Sequence, residues 1–568
     1  MLKTTASPFH ADLATGDPPV TVLLSFLLFT GLVAGLTWFL THKDDHGTSD
    51  GFFLAGRKLG AIVIAGSLLL TNLSTEQLVG LNGDAYKGGL HVMVWEIVTV
   101  LAIVLMALFF LPRFLRSGVT TVPQFLDDRF GPTTRTITTL VFLIAYAVVL
   151  LPMILYTGAQ ALSQMFDVKT LTGIENPKIV LWLAVWLIGL IGSVYALFGG
   201  LRTVAVSDTL NGVGLLLGGV LITYFGLQAI GGDNGVMAGL DTIRADQADR
   251  LNSIGGSTDL VPFETVFTGA FLLMTFYWCT NQQIIQRTFA ARDLKTGQKG
   301  VLLCGAVKLL GPIYLVLPGL IAYQLFFNNP EHAGLEPAQS YGRLVREVLP
   351  AGLVGFFAAV VVGAILSSFN SALNSATTLF SLGVYKPLVN KDASEKQVVA
   401  SGKWFGWATA AVAMTIAPLL AGQDSIFGFL QMMNAIYFIP ILSVVVVGML
   451  TRRVPGWSAN AALILGVALL LVGNFVPVGK SEEGKALLLA GGVMHNFHFV
   501  GIVFVLLVAL MVIAQWIKPR PEAWVHEHSK DVDITPWKFA WPAGIALVIA
   551  VIAIYAVFAD FTVLIPNG

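Results

Sequence analysis

The chain contains about fourteen apolar runs, each close to the length an α-helix needs to cross a hydrocarbon layer roughly 30 Å thick. They fall near 20–41, 60–80, 88–112, 136–163, 179–198, 205–230, 263–285, 300–327, 348–381, 402–421, 425–450, 457–477, 496–517 and 539–562. A bilayer offers the backbone no water, so runs of this kind fold as helices that satisfy their own hydrogen bonds. Composition agrees, with 55% of the 568 residues hydrophobic and 12% charged, against roughly a quarter charged in soluble domains. The expectation is an all-α membrane protein of about fourteen transmembrane helices. The first run exceeds a signal-peptide core and has no basic stretch before it, so it reads as a retained helix. A formal net charge of zero argues against a nucleic-acid partner. Cys279 and Cys304 lie in apolar runs without metal-ligand spacing and read as small core residues.

An even number of spans leaves both termini on one side. Alternate loops hold 22 and 10 lysines plus arginines. The richer set faces the cytoplasm by the positive-inside rule, which puts both termini outside. The count isolates Lys308, inside the run 300–327. A lysine at membrane depth costs about 2.5–3.5 kcal/mol and needs a partner or a wet cavity. The longest outer loop, roughly 231–262, reads as a solvated cap, and 518–538 as a basic linker at the membrane surface. No phosphate-cradling loop and no HExxH motif occurs, so nothing supports ATP-driven pumping within the chain.

Two runs are interrupted by polar residues. One passes from Gly66 through Thr71, Asn72, Ser74, Thr75 and Glu76 to Gln77; the other is Met274-Thr-Phe-Tyr-Trp-Cys-Thr-Asn-Gln-Gln283. They are the second and seventh runs, five apart, and paired broken helices in two matching halves point to a binding site at the membrane midplane. Other polar side chains keep helical spacing: Glu96 with Thr99, beside Trp95; Tyr277 with Asn281; Phe427 with Gln431. Gln77, Glu96, Thr99, Lys308 and Gln431 offer a mixed set of donors and acceptors suited to a neutral polyhydroxylated solute. Trp95, Tyr277 and Phe427 add ring faces. Interhelical hydrogen bonding is the plainer reading of any one of them. Ala364, Ser367, Ser371 and Asn374 form a small or polar stripe, and neutral oxygens beside a broken helix suit a hard monovalent cation. Close helix packing is the alternative there. Asp208, at the start of the sixth run, is either a dipole-stabilised helix-end residue or part of an ion path.

These residues resemble the sodium:solute symporter family, in particular its sodium/glucose cotransporter branch. The matching segments are Phe53-Leu-Ala-Gly-Arg57, Asn72-Leu-Ser-Thr-Glu-Gln77, Gly199-Gly-Leu-Arg-Thr-Val-Ala-Val-Ser-Asp208 and Tyr277-Trp-Cys-Thr-Asn-Gln282. Ile285-Gln-Arg287, Lys308 and Leu366-Ser-Ser-Phe-Asn-Ser-Ala-Leu-Asn-Ser375 continue the match. The resemblance implies a leucine-transporter-like core of two inverted five-helix repeats at 60–231 and 262–455, within a core spanning 60–455. Residues 1–59, an outer tail and first helix, would precede it, and the C-terminal helices of 456–568 would follow. It implies sodium held by the carbonyls of Leu70, Leu73 and Ala364 and the hydroxyls of Ser367 and Ser368, with Asp208 on the inward sodium path. Sugar contacts would be Gln77, Glu96, Thr99, Lys308 and Gln431, with Tyr277 as the inner gate and Phe427 stacking from outside. Met274, where a bacterial sugar symporter of the branch has asparagine, and Leu81 and Trp95 are pocket substitutions that leave the sugar open.

The expected activity is sodium-coupled symport of a small polar solute, a monosaccharide first, across a cell membrane. Sialic acid, inositol or another organic solute is the alternative within the family. A non-transporting sensor on the same scaffold is a distant second class. No nucleophile–base pair accompanies Glu96 and Lys308, so an intramembrane enzyme is not expected. The number of sodium ions depends on whether Asp208 belongs to a second site.

Overall fold

The computed structural model describes residues 19–44, 47–165, 173–332, 334–420, 426–481 and 486–565. The predicted outer tail before Pro19 lies outside them. Nearly all of the described chain is helical; one short hairpin, Pro477–Lys480 with Ala486–Leu488, joins two of the last helices.

The first helix, Pro19–Thr41, packs mainly on a later 30-residue helix. The helix Ala61–Asn72 (α1) is apolar and stops at Leu73, whose ψ of 61° leaves the helical region. Ser74, in extended conformation, then starts Thr75–Gly88 (α2), and the two pieces meet at 57°. Glu76 in the first turn of α2 and Lys87 in its last complement the helix dipole. After Leu90–Ser117 and the helices of 132–163 comes Pro177–Gly231 (α3). At 55 residues it would measure about 82 Å if straight, far more than a bilayer. It breaks at Gly200, whose φ of 65° and ψ of −178° only glycine adopts freely, so the predicted runs 179–198 and 205–230 join through one glycine.

The second interruption divides Gly269–Cys279 (α4) from Gln282–Phe289 (α5), with Asn281 extended between them. Leu294–Lys308 (α6) bends by 48° into the segment that ends with Leu317–Phe326 (α7). Gly311 sits in that bend against Glu96, where a Cβ would lie 2.8 Å from the Glu96 Cβ. Ala351–Phe380 (α8) is the 30-residue helix that packs on α3, α1 and Pro19–Thr41. Ile426–Leu450 (α9) follows, then Gly456–Phe475, Asn496–Ile517 and Ala540–Val557.

Nine described helices are long and apolar enough to cross a membrane, eleven if each bent pair is one span. The expected fourteen exceeds that number in part because Pro177–Gly231 passes as one continuous helix despite its break at Gly200, and because α4 has only 11 residues. The outer stretch 231–262, expected as a solvated cap, has many exposed residues and is structured. It carries the helix Gly235–Asp246, and Arg250 donates to the carbonyls of Ala85 (3.2 Å) and Tyr86 (2.7 Å) at the end of α2. Two arginines assigned to loops by the charge count, Arg129 and Arg287, are fully buried. Arg129 donates to the carbonyls of Gly448 (3.1 Å), Val454 (3.2 Å) and Thr451 (3.3 Å), fastening the end of α9.

Candidate functional site

The break between α1 and α2 turns backbone oxygens away from helical partners. The N–H of Ser74, which would continue α1 onto Leu70, donates instead to Asn72 C=O at 2.8 Å. The N–H of Gln77, four residues beyond Leu73, donates to Ser74 C=O at 3.1 Å. α8 passes beside this break: Ser368 Oγ lies 3.5 Å from Thr71 C=O, and Ser371 Oγ lies 3.3 Å from Thr71 Oγ1. Ser367 Oγ is buried against the Asp208 carboxylate and accepts no hydrogen bond among the described residues. A buried oxygen whose lone pairs meet no donor is costly. An ion drawing on carbonyl and hydroxyl oxygens would satisfy it, so the donor set fits a weakly bound monovalent cation.

Below these oxygens lies a closed charged network. Ser67 Oγ donates to Asp208 at 2.6 Å and accepts from Arg287 Nε at 2.7 Å, while Arg287 Nη2 lies 3.4 Å from the same carboxylate. Arg287 also donates to the Gln283 carbonyl and to Ser371 Oγ, and the Ser371 hydroxyl donates to Ser367 C=O at 2.6 Å. One turn further, Gln286 Nε2 donates to Phe53 C=O (2.8 Å), Asn374 Oδ1 (3.1 Å) and Thr378 Oγ1 (2.9 Å), tying α5 to α8. Asp208 is thus a partner of Arg287, not a solvated helix end. Arg287 had no assigned role; its i,i+4 relation to Gln283 was the available signal.

A narrow cavity of about 60 Å³, room for a few waters, opens beside the break. Its wall brings together Gln77, Trp95, Thr99, Met274, Tyr277, Phe427 and Gln431, seven of the residues singled out from the sequence. Asn72, Ser74, Glu76, Gln283 and Asn434 join them. Tyr277 Oη lies 3.5 Å from Thr71 C=O, at the break between α1 and α2. Trp95 and Phe427 meet edge to face at 5.5 Å between centroids. Phe427 and Glu76 also border a larger vestibule of about 830 Å³ lined by Asp84, Arg250 and Tyr323, so the Phe427 ring partitions the two spaces.

Three predicted contacts lie outside the cavity wall. Leu81 is fully buried, because the vestibule takes the face of α2 at Val79, Gly80, Gly83 and Asp84. Glu96 and Lys308 face each other at 2.5 Å with no exposure, and Lys308 Nζ also reaches Asn72 Oδ1 at 2.5 Å. Lys308 therefore has the partner its depth demands, and Asn72 connects the pair to the cavity wall. Gln431→Ala is expected to weaken solute affinity roughly 3–10-fold, the worth of one neutral hydrogen bond, in equilibrium binding of labelled solute.

The sequence model of the sodium:solute symporter family matches residues 52–466. The chain belongs to that family. It is 42% identical over 543 residues to the uncharacterized symporter YidK of Escherichia coli K12, covering 95% of this chain and 91% of that one. It is 28% identical to the sodium/glucose cotransporter of Vibrio parahaemolyticus (80% and 85% covered) and 29% identical to sodium/myo-inositol cotransporter 2 of Sus scrofa (80% and 69%). Among solved structures, a Na+-coupled sialic acid symporter in a substrate-bound outward-open state superposes with a TM-score of 0.73 at 18% identity, covering 88% of this chain and 99% of that one. The fold is accordingly that of the leucine-transporter-like symporters.

Proposed function

We propose that this symporter couples inward movement of sodium to uptake of a small neutral polyhydroxylated solute, a monosaccharide or cyclitol. The observation that carries the reading is the charge of the cavity wall: its described residues include amides, hydroxyls and one carboxylate, Glu76, and no lysine or arginine. The two nearby cations are committed elsewhere, Lys308 to Glu96 and Arg287 to Asp208. An anionic solute would meet Glu76 and no lysine or arginine in the described wall. Relatives named for glucose and myo-inositol transport support the class.

In the proposed cycle, sodium is a cotransported substrate bound where the Leu70, Leu73 and Ala364 carbonyls meet Ser367 and Ser368. Holding the break in one arrangement fixes Asn72, Ser74 and Gln77 in the cavity wall, so sodium favours the solute-competent state. By linkage the solute favours sodium to the same degree. Each charge carried inward at 100 mV contributes about 2.3 kcal/mol, enough to concentrate a neutral solute roughly 50-fold. The cavity must widen to admit a sugar, and displacement of Phe427 toward the vestibule supplies that volume.

Uptake of labelled hexoses and inositols into proteoliposomes under an imposed sodium gradient tests this. Accumulation above equilibrium that disappears when potassium replaces sodium is the expected result. Sodium-driven uptake of sialic acid with none of any neutral solute would overturn the reading.

A further inference from the structure

Away from the transport pathway, on the lysine- and arginine-rich face, a cavity of about 620 Å³ lies between the helix Leu111–Ser117, the end of α9 and the stretch 518–538. Its wall includes Arg113, Arg116 and Arg452 together with Trp524 and His526, and no carboxylate. None of the three arginines is ion-paired among the described residues. Arg113 rests its guanidinium 3.6 Å from the Phe109 ring and, among the described residues, donates to Phe109 C=O at 2.9 Å and to no other group. Arg116 and Arg452 are exposed.

The pocket is built rather than incidental. The stretch 518–538 is strapped across this face by backbone bonds from Arg520 to Arg453 C=O (2.8 Å), Trp524 to Arg452 C=O (2.8 Å) and Ser529 to Arg116 C=O (3.0 Å). His526 Nε2 meets Ser117 Oγ at 2.7 Å, and its ring stacks on Trp524 at 5.0 Å. Burial, followed by the fields of Arg116 and Arg113, pulls the His526 imidazole down to about 4. At neutral pH it is therefore an uncharged wall, and the positive charge belongs to the arginines. Guanidinium groups sharing a wall with aromatic rings suit phosphate oxygens, which they bind in bidentate fashion.

We infer that this pocket binds a phosphate-bearing anion, a phospholipid headgroup or a free phosphate, which would brace the 518–538 strap against the ends of two transport-core helices. Purified full-length protein is examined by native mass spectrometry and thermal unfolding with three probes: phosphatidylglycerol, phosphatidylcholine and inorganic phosphate. Wild type should bind phosphatidylglycerol or inorganic phosphate over phosphatidylcholine. Each cation near a phospholipid surface is worth roughly fivefold. Arg113→Gln/Arg116→Gln/Arg452→Gln should thus weaken binding about 100-fold, while the control Lys391→Gln/Lys396→Gln, two exposed lysines elsewhere, should leave it unchanged. Arg452→Gln alone keeps every backbone strap and should cost roughly fivefold should the triple variant not fold. Binding of phosphatidylglycerol alone identifies a headgroup, and binding of inorganic phosphate as well identifies a soluble anion. No binding by wild type, or equal binding by wild type and folded variant, overturns the inference.

Discussion

Lys308→Met is expected to destabilise the folded transporter by about 3–5 kcal/mol, because it strands the Glu96 carboxylate in a site with no access to water. The pair sits at 2.5 Å with both side chains fully buried, and Glu96 Oε1 has no hydrogen-bond partner to share its charge. Removing both charges together behaves differently. Glu96→Gln/Lys308→Met eliminates the desolvation cost along with the attraction, so most of the lost stability should return. Heat-inactivation midpoints of the two single variants and the double variant, in the same lipid, measure the coupling. A Lys308→Met midpoint within the range of ordinary surface variants would refute the sealed pair. Solute affinity of the double variant then separates two roles. Unchanged affinity makes the pair a brace behind Asn72, whereas a large loss makes one of its members a direct solute contact.

Much of this site was legible in the sequence, for a physical reason. A bilayer tolerates polar side chains and unwound backbone only inside protein, so Thr71 to Gln77 and Thr275 to Gln283 announced two broken helices despite lying in apolar runs. Lys308 announced a partner on the same grounds. Which partner was another matter. Glu96 lies more than two hundred residues away, and only tertiary packing brings the pair together behind the cavity instead of into it. Arg287 was illegible for the opposite reason. Arg287 lies just beyond the apolar run 263–285, where polar residues read as loop, yet every residue of Gln282–Phe289 is buried, and the arginine is neutralised by Asp208 from α3. The division of 179–230 into two runs agrees with the break at Gly200, where a single positive-φ residue redirects the chain.

Ser367→Ala is expected to separate sodium binding from folding. The Ser367 hydroxyl is buried against the Asp208 carboxylate, which Ser67 and Arg287 already hold, so its removal should cost stability in potassium no more than about 1 kcal/mol. Asp208 is a poorer probe, since its loss would strand Arg287. If the hydroxyl is a sodium ligand, its loss costs at least the roughly 10–100-fold in affinity that follows loss of a ligand's supporting partner in metal sites. The half-saturating sodium concentration for uptake should rise by that factor. The stabilisation that sodium adds over potassium in thermal unfolding should shrink with it, because an ion that binds only the folded state stabilises by mass action. Ser368 is bound at 3.5 Å to Thr71 C=O, so Ser368→Ala removes a link between α8 and the break as well as a ligand, and should impair coupling more than affinity alone explains. Wild-type sodium dependence in both variants would leave the stripe on α8 as helix packing and move the ion elsewhere.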